Sequence, residues 1–168
     1  QQLHRTFLQV SLAQRNTAKE KFAFIAAHVD LLQDWWHVDQ LTQFFRQPVD
    51  FGLAFAQAEQ HIASELPFER RWGYVLFLTG LQKDPAHTRQ ILSLIKDDDE
   101  YYVQMAEAWL IADLSVFNMP EVKRFAEPTE IKYNIMGKVI QKICDSFRIA
   151  ASDKAYMKSL RVRARLFV

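Results

Sequence analysis

The chain has little with which to staple itself and few places to turn. Its one cysteine, Cys144, excludes an intramolecular disulfide and fits a reducing compartment. The histidines (His4, His28, His37, His61 and His87) are scattered without metal-ligand spacing, and a lone cysteine cannot build a structural zinc site. No metal and no cofactor are therefore expected. Four glycines and five prolines are too few for the many turns of an all-β fold. No apolar run approaches the length that crosses a bilayer, and no charged-then-apolar leader opens the sequence. The expectation is a cytoplasmic protein with no membrane partner. Gln1 in first place reads as a trimmed chain or a start inside a longer protein.

What is present is helical and unevenly charged. At 168 residues, the chain is expected to form a single domain over 1–168 with a substantial core. The formal net charge of +1 hides a partition. Ile131 to Val168 carries nine Lys/Arg against two Asp/Glu, leaving 12 basic and 18 acidic residues in the rest. A local +7 against −6 marks a segment suited to a polyanion, although a solvated basic helix has the same composition.

Helical periodicity runs through most of the sequence. Leu3, Phe7, Val10 and Gln14 begin an amphipathic stretch, and Thr17 is the expected N-cap of a second helix carrying Phe22, Ile25, Ala26 and Val29. Further helices are expected from Asp34 to Arg46, from an N-cap at Asp50 to Glu65, and from Phe68 to Leu81. Asp84-Pro85 predicts the start of a helix through Lys96. Asp97 to Glu100 places negative charge where the next helix dipole favours it; that helix runs to Phe117, with a short one around Pro120 to Ala126. Glu127-Pro128-Thr129 opens a long helix to Ile149, and Ser152 is the expected cap of the last, ending near Leu166. Two helices per roughly 35 residues, joined by short links, fit an all-α HEAT-like α-solenoid, a right-handed superhelix of stacked antiparallel helix pairs.

Tryptophans beside charge stand out against this background. Trp35 and Asp39 are four apart and share a helix face, presenting an indole and a carboxylate to one point. That combination suits a flat, cationic or electron-poor ligand. Arg70 and Arg71 precede Trp72 on another helix, and Trp109 closes the stretch that begins at Glu100.

Three segments together resemble the DNA alkylation repair (AlkD-like) family of HEAT-like DNA glycosylases. Asp34-Trp35-Trp36-His37-Val38-Asp39-Gln40-Leu41 is similar to the family's Trp-x-x-x-Asp segment. Glu69-Arg70-Arg71-Trp72-Gly73-Tyr74-Val75-Leu76 is similar to its arginine helix, and Glu100 to Trp109 to its aromatic-pair helix. The basic stretch from Lys132 to Ile149 resembles the family's C-terminal helix, so the likeness covers Leu31 to Arg161. Family members carry more chain before the Trp-x-x-x-Asp helix than the roughly thirty residues present here, which implies a missing or shortened N-terminal repeat.

The resemblance implies hydrolysis of the N-glycosidic bond of cationic N3- or N7-alkylated purines in double-stranded DNA, by a monofunctional glycosylase expected to act as a monomer. The lesion base is already a good leaving group, so the protein's task is to stabilise the oxocarbenium-like sugar and orient water. Asp39 is the implied carboxylate, Trp35 and Trp109 the implied holders of base or sugar, and Arg71 the implied phosphate clamp. Arg70, Lys138, Lys142, Arg148 and Lys158 are implied contacts to the DNA backbone.

Each of these residues also has a plainer reading. Trp35 and Trp109 can be packing anchors, Trp36 and Trp72 core or groove-lining residues, and Asp39 can pair with Arg71 between stacked helices. Tyr101 and Tyr102 read as packing residues, and Glu107 falls two positions from Trp109, off its face. The alternative to an enzyme is a non-catalytic HEAT-like scaffold that binds DNA or protein. The enzyme reading requires Trp35, Asp39, Arg71 and Trp109 on one concave face with Asp39 accessible.

Overall fold

The computed structural model describes residues 2–45, 48–127 and 133–165. Among them the fold is all-α, with nine α-helices, short 3₁₀ turns and no strand. None of these helices is long and apolar enough to cross a membrane. The chain divides into two compact units, 1–81 and 82–168.

In the first unit, α1 (Gln2–Ala13) buries Leu8 and Leu12, four apart on one face. Thr17 caps α2 (Ala18–Ala26) as expected, in a complete capping box. Its hydroxyl accepts from Glu20 N at 3.2 Å while the Glu20 carboxylate accepts from Thr17 N at 3.0 Å. These hydrogen bonds to Thr17 hold the Glu20 carboxyl below its ordinary range. The expected 34–46 helix is shorter: α3 (Trp35–Asp39) gives way to a 3₁₀ turn, Gln40–Phe44. That turn tucks Leu41 into the core while Thr42 Oγ1 donates to the Asp39 carbonyl at 3.0 Å. Asp50 caps α4 (Phe51–Ile62) through Leu53 N at 2.8 Å, as its position predicts.

α5 (Pro67–Val75) is the spine of this unit and packs on both α3 and α4. Trp72 is fully buried between Phe22 and Phe45, as a core residue should be. Gly73 is required by close approach: a Cβ there would stand 2.6 Å from Ile62 Cγ1 and 3.1 Å from the backbone of Ala58. A polar clamp joins the two helices. Glu69 accepts from Ser64 Oγ at 2.6 Å and lies 2.9 Å from Nδ1 of the buried His61. Leu76–Thr79 continues α5 as a 3₁₀ turn, ending at Gly80 with φ 125°, which glycine adopts without strain.

In the second unit, Asp84 caps a 3₁₀ turn, Pro85–His87, and α6 (Thr88–Leu92) is shorter than expected. α7 (Tyr101–Phe125) joins the two helices expected there, with a non-helical residue, Asn118, marking the break before Pro120. α8 (Tyr133–Asp145) packs Ile135, Val139 and Ile143 onto α7 at four-residue spacing. The expected start at 128–129 lies outside the described residues. α9 (Ala151–Arg165) begins one residue before Ser152, so Ser152 is helical and does not cap it; the expected end near Leu166 lies outside the described residues.

Glu107 organises the turn that enters α7. It is completely buried, and its carboxylate accepts from the backbone N–H groups of Lys96, Asp97 and Asp98 at 2.9, 3.1 and 3.2 Å. A buried carboxylate satisfied by converging backbone donors holds the chain where Asp97 takes φ 54°. Asp97 in turn accepts from Ile135 N at 3.2 Å, in the first turn of α8, so one buried glutamate sets up the α7–α8 pairing. The acidic run thus does more than compensate a dipole.

Two changes test this packing. Gly73→Ala should destabilise the protein by about 1–3 kcal/mol through overpacking between α4 and α5, read as a lowered denaturant midpoint. Glu107→Ala should cost about 3 kcal/mol by leaving inward-facing N–H groups without their acceptor, with the loss centred on the second unit in hydrogen exchange.

Candidate functional site

The sequence-predicted site residues of the first unit cluster on α3 and α5. Asp34 caps α3, its Oδ1 accepting from Trp35 N at 2.7 Å. The short helix therefore starts at Trp35 and presents it to solvent, 45 % exposed. One turn later stands Asp39. Its two oxygens meet the Arg71 fork, with Nε donating to Oδ1 and Nη2 to Oδ2, both at 2.9 Å. This two-point geometry fixes the plane of the carboxylate as well as its position. The Asp39 side chain is 21 % exposed and that of Arg71 only 5 %. The guanidinium thus lies behind the carboxylate, and the carboxylate retains a face toward solvent.

Trp36, beside Trp35, lies half-buried against His37, with Arg5 over its ring at 5.4 Å. Arg70 turns away from its neighbour Arg71. Its Nη1 donates to the carbonyls of Ser64 and Glu65 at 3.1 and 3.0 Å, closing the link between α4 and α5. Sequence reasoning also passed over a cavity of about 400 Å³ in this unit, lined by Arg15, Lys21 and Phe44 among others. Lys21 Nζ donates to the Phe44 carbonyl there at 2.6 Å, and the Arg15 guanidinium lies 3.9 Å over the Phe24 ring.

The remaining predicted residues belong to the second unit. Trp109 is half-buried on α7 and lines a cavity of about 370 Å³ together with Lys142 and Arg148. Arg148 Nη2 donates to Asp113 Oδ1, and Gln82 Nε2 donates to Asp113 Oδ2 at 2.9 Å. Lys138 stands half-buried on α8 with its Nζ 5.9 Å from the Tyr101 ring centre, and Lys158 is exposed on α9. Tyr101 and Tyr102 are not packed away as their plainer reading expects: they are 57 % and 43 % exposed and meet edge to face.

Asp113, which lines the Trp109 cavity and is held by Arg148 and Gln82, was not singled out from the sequence. The signal was present, since Trp109-Leu110-Ile111-Ala112-Asp113 repeats the Trp-x-x-x-Asp spacing of Trp35 and Asp39. Among the described residues, no group of three or more His, Cys, Asp or Glu could hold a metal ion.

A fork-held carboxylate beside an exposed indole can stabilise developing positive charge and orient a water molecule. No curated protein and no solved structure matches the chain. The model of the DNA alkylation repair enzyme family, by contrast, matches residues 6–159, nearly the whole chain. The chain belongs to the DNA alkylation repair enzyme family.

Proposed function

We propose that this protein is a monofunctional DNA glycosylase that releases cationic N3- or N7-alkylated purines from double-stranded DNA. The observation that carries the reading is the Asp39 carboxylate, held from behind by Arg71 and partly exposed one helical turn from the exposed Trp35. The reading includes a HEAT-like solenoid, a single functional domain, action as a monomer and a cytoplasmic setting. Helix pairs packed as α4 with α5 and α7 with α8 are compatible with that architecture.

In the proposed reaction the N-glycosidic bond breaks and its electron pair neutralises the cationic base, which needs little help from a general acid. Positive charge develops on the sugar at the anomeric carbon. Asp39 stabilises that charge and orients the water whose oxygen bonds to the carbon, and the water's surplus proton passes to the carboxylate or to solvent. The product is an abasic site, without strand cleavage. Trp35 holds the electron-poor base or sugar through its face, and Trp109 contributes a second indole. The buried fork of Arg71 supports a positioning role, orienting Asp39, in place of the phosphate clamp expected from sequence. Lys138, Lys142, Arg148 and Lys158 supply backbone contacts from the basic C-terminal segment. Arg70 is the weakest of the proposed DNA contacts, because its guanidinium already bonds two carbonyls.

The decisive experiment is release of free alkylated base from methylated duplex DNA. Asp39→Asn should reduce the rate by roughly 10²–10³-fold while DNA binding persists. No release by the parent, with binding retained, would leave a DNA-binding scaffold. Affinity for DNA should also fall steeply with added salt, the slope of log K against log salt being about −0.9 for each phosphate neutralised. Salt-independent binding would argue against contact with the DNA backbone.

A further inference from the structure

Two arginines from different helices of the second unit converge on one carboxylate. Arg89 of α6 directs Nε to Glu121 Oε1 at 2.9 Å, and Arg124 of α7 directs Nη2 to Glu121 Oε2. Glu121 stands just past the break in α7, and that break fixes its place. Asn118 leaves helical geometry, its Oδ1 accepts from Glu121 N at 3.4 Å, and its Nδ2 donates to the Pro85 carbonyl at 3.1 Å. The Glu121 side chain is 12 % exposed, against 74 % for Arg89 and 62 % for Arg124. A carboxylate held inward thus aligns two guanidinium groups that face water. Each guanidinium carries five N–H donors, so donors remain that Glu121 does not take.

The three side chains border a cavity of about 450 Å³, within the size range of ligand sites. Leu92, buried at the end of α6, and the half-buried Phe125 also line it, so apolar walls lie beside the charged rim. Two cations against one anion leave a single surplus positive charge, and the neighbouring Lys123 is already matched by Asp153 at 2.6 Å. That balance suits one carboxylate better than a run of phosphates, which Glu121 would repel. The planar guanidinium fork matches a carboxylate at two points, and the apolar walls call for an apolar group joined to it. A small free acid would gain little here, because ion pairs this exposed to water are weak. A peptide that continues out over the rim adds contacts that a free acid lacks.

We propose that this cavity is a docking site for the C-terminus of a partner protein whose last residue is bulky and apolar. The terminal carboxylate lies between Arg89 and Arg124, and the last side chain enters against Leu92 and Phe125. None of the lining residues belongs to the proposed glycosylase site, and the proposal does not rest on that reading. It gives a protein of a DNA repair family a tether to a second protein.

The test is fluorescence anisotropy of the intact chain with labelled pentapeptides of glycine and serine that end in phenylalanine or leucine. Each is compared with its C-terminal amide and with the same peptide ending in serine. A free-acid peptide with an apolar end should bind roughly tenfold tighter than its amide, and the serine-ended peptide should lose a similar factor. Arg89→Gln and Arg124→Gln should each weaken binding by roughly five- to tenfold. Both change exposed side chains, so their effect is separable from misfolding. No binding of either free-acid peptide, equal binding of acid and amide, or affinity unchanged in both variants would overturn the proposal. So would displacement of the peptide by an equal concentration of 3-phenylpropionic acid, which would assign the cavity to a small free acid.

Discussion

A carboxylate that faces solvent from a helix of only five residues has no rigid support of its own, and the Asp39–Arg71 fork supplies it. The pair is asymmetric in a useful sense. Removing Arg71 from water is costly unless a partner takes its donors, and Asp39 takes Nε and Nη2 together. The aspartate is then held in one orientation while part of it remains wet. Much of the first unit serves to place this pair. α5 carries Arg71 beside the buried Trp72, Gly73 lets α4 approach α5 closely, and the Glu69 clamp with His61 and Ser64 secures the turn between them.

The second unit solves a related problem with a different buried charge. Glu107 gathers three backbone N–H groups, fixes the entry to α7, and leaves Asp97 in place to accept from the first turn of α8. That arrangement sets α7 against α8, from which Trp109, Asp113 and Lys142 reach a common cavity. The two units therefore present related Trp-x-x-x-Asp spacings through different supports. In one the arginine is a buried prop, and in the other it stands at a cavity rim.

Membership of the DNA alkylation repair enzyme family places the chain in DNA repair. The proposed chemistry draws on a property of the substrate class: a cationic lesion leaves readily, so a site can act by electrostatics and orientation without a strong acid or a nucleophile. A partly exposed aspartate flanked by an indole is consistent with that modest demand. The basic C-terminal segment suits the polyanionic partner that the family implies.

Local features were legible in the sequence because local chemistry produces them. The all-α class, the caps at Thr17 and Asp50, the core position of Trp72 and the break before Pro120 follow from periodicity, side-chain hydrogen bonding and the missing proline N–H. The Trp35–Asp39 spacing was equally readable. What the sequence could not decide was which charge meets which. Arg70 and Arg71 are neighbours with the same side chain, yet one closes a turn and the other meets Asp39, because successive helix positions point about a quarter-turn apart into different surroundings. Nothing local in the sequence shows that Glu107 and Asp113 meet partners 9 to 35 residues away. α3 and α6 stop short of their periodic patterns because burying Leu41 and Leu94 is satisfied by a tighter turn or a loop as well as by continued helix. Periodicity determined which residues turn inward, and packing between helices decided which of the inward charges became neighbours.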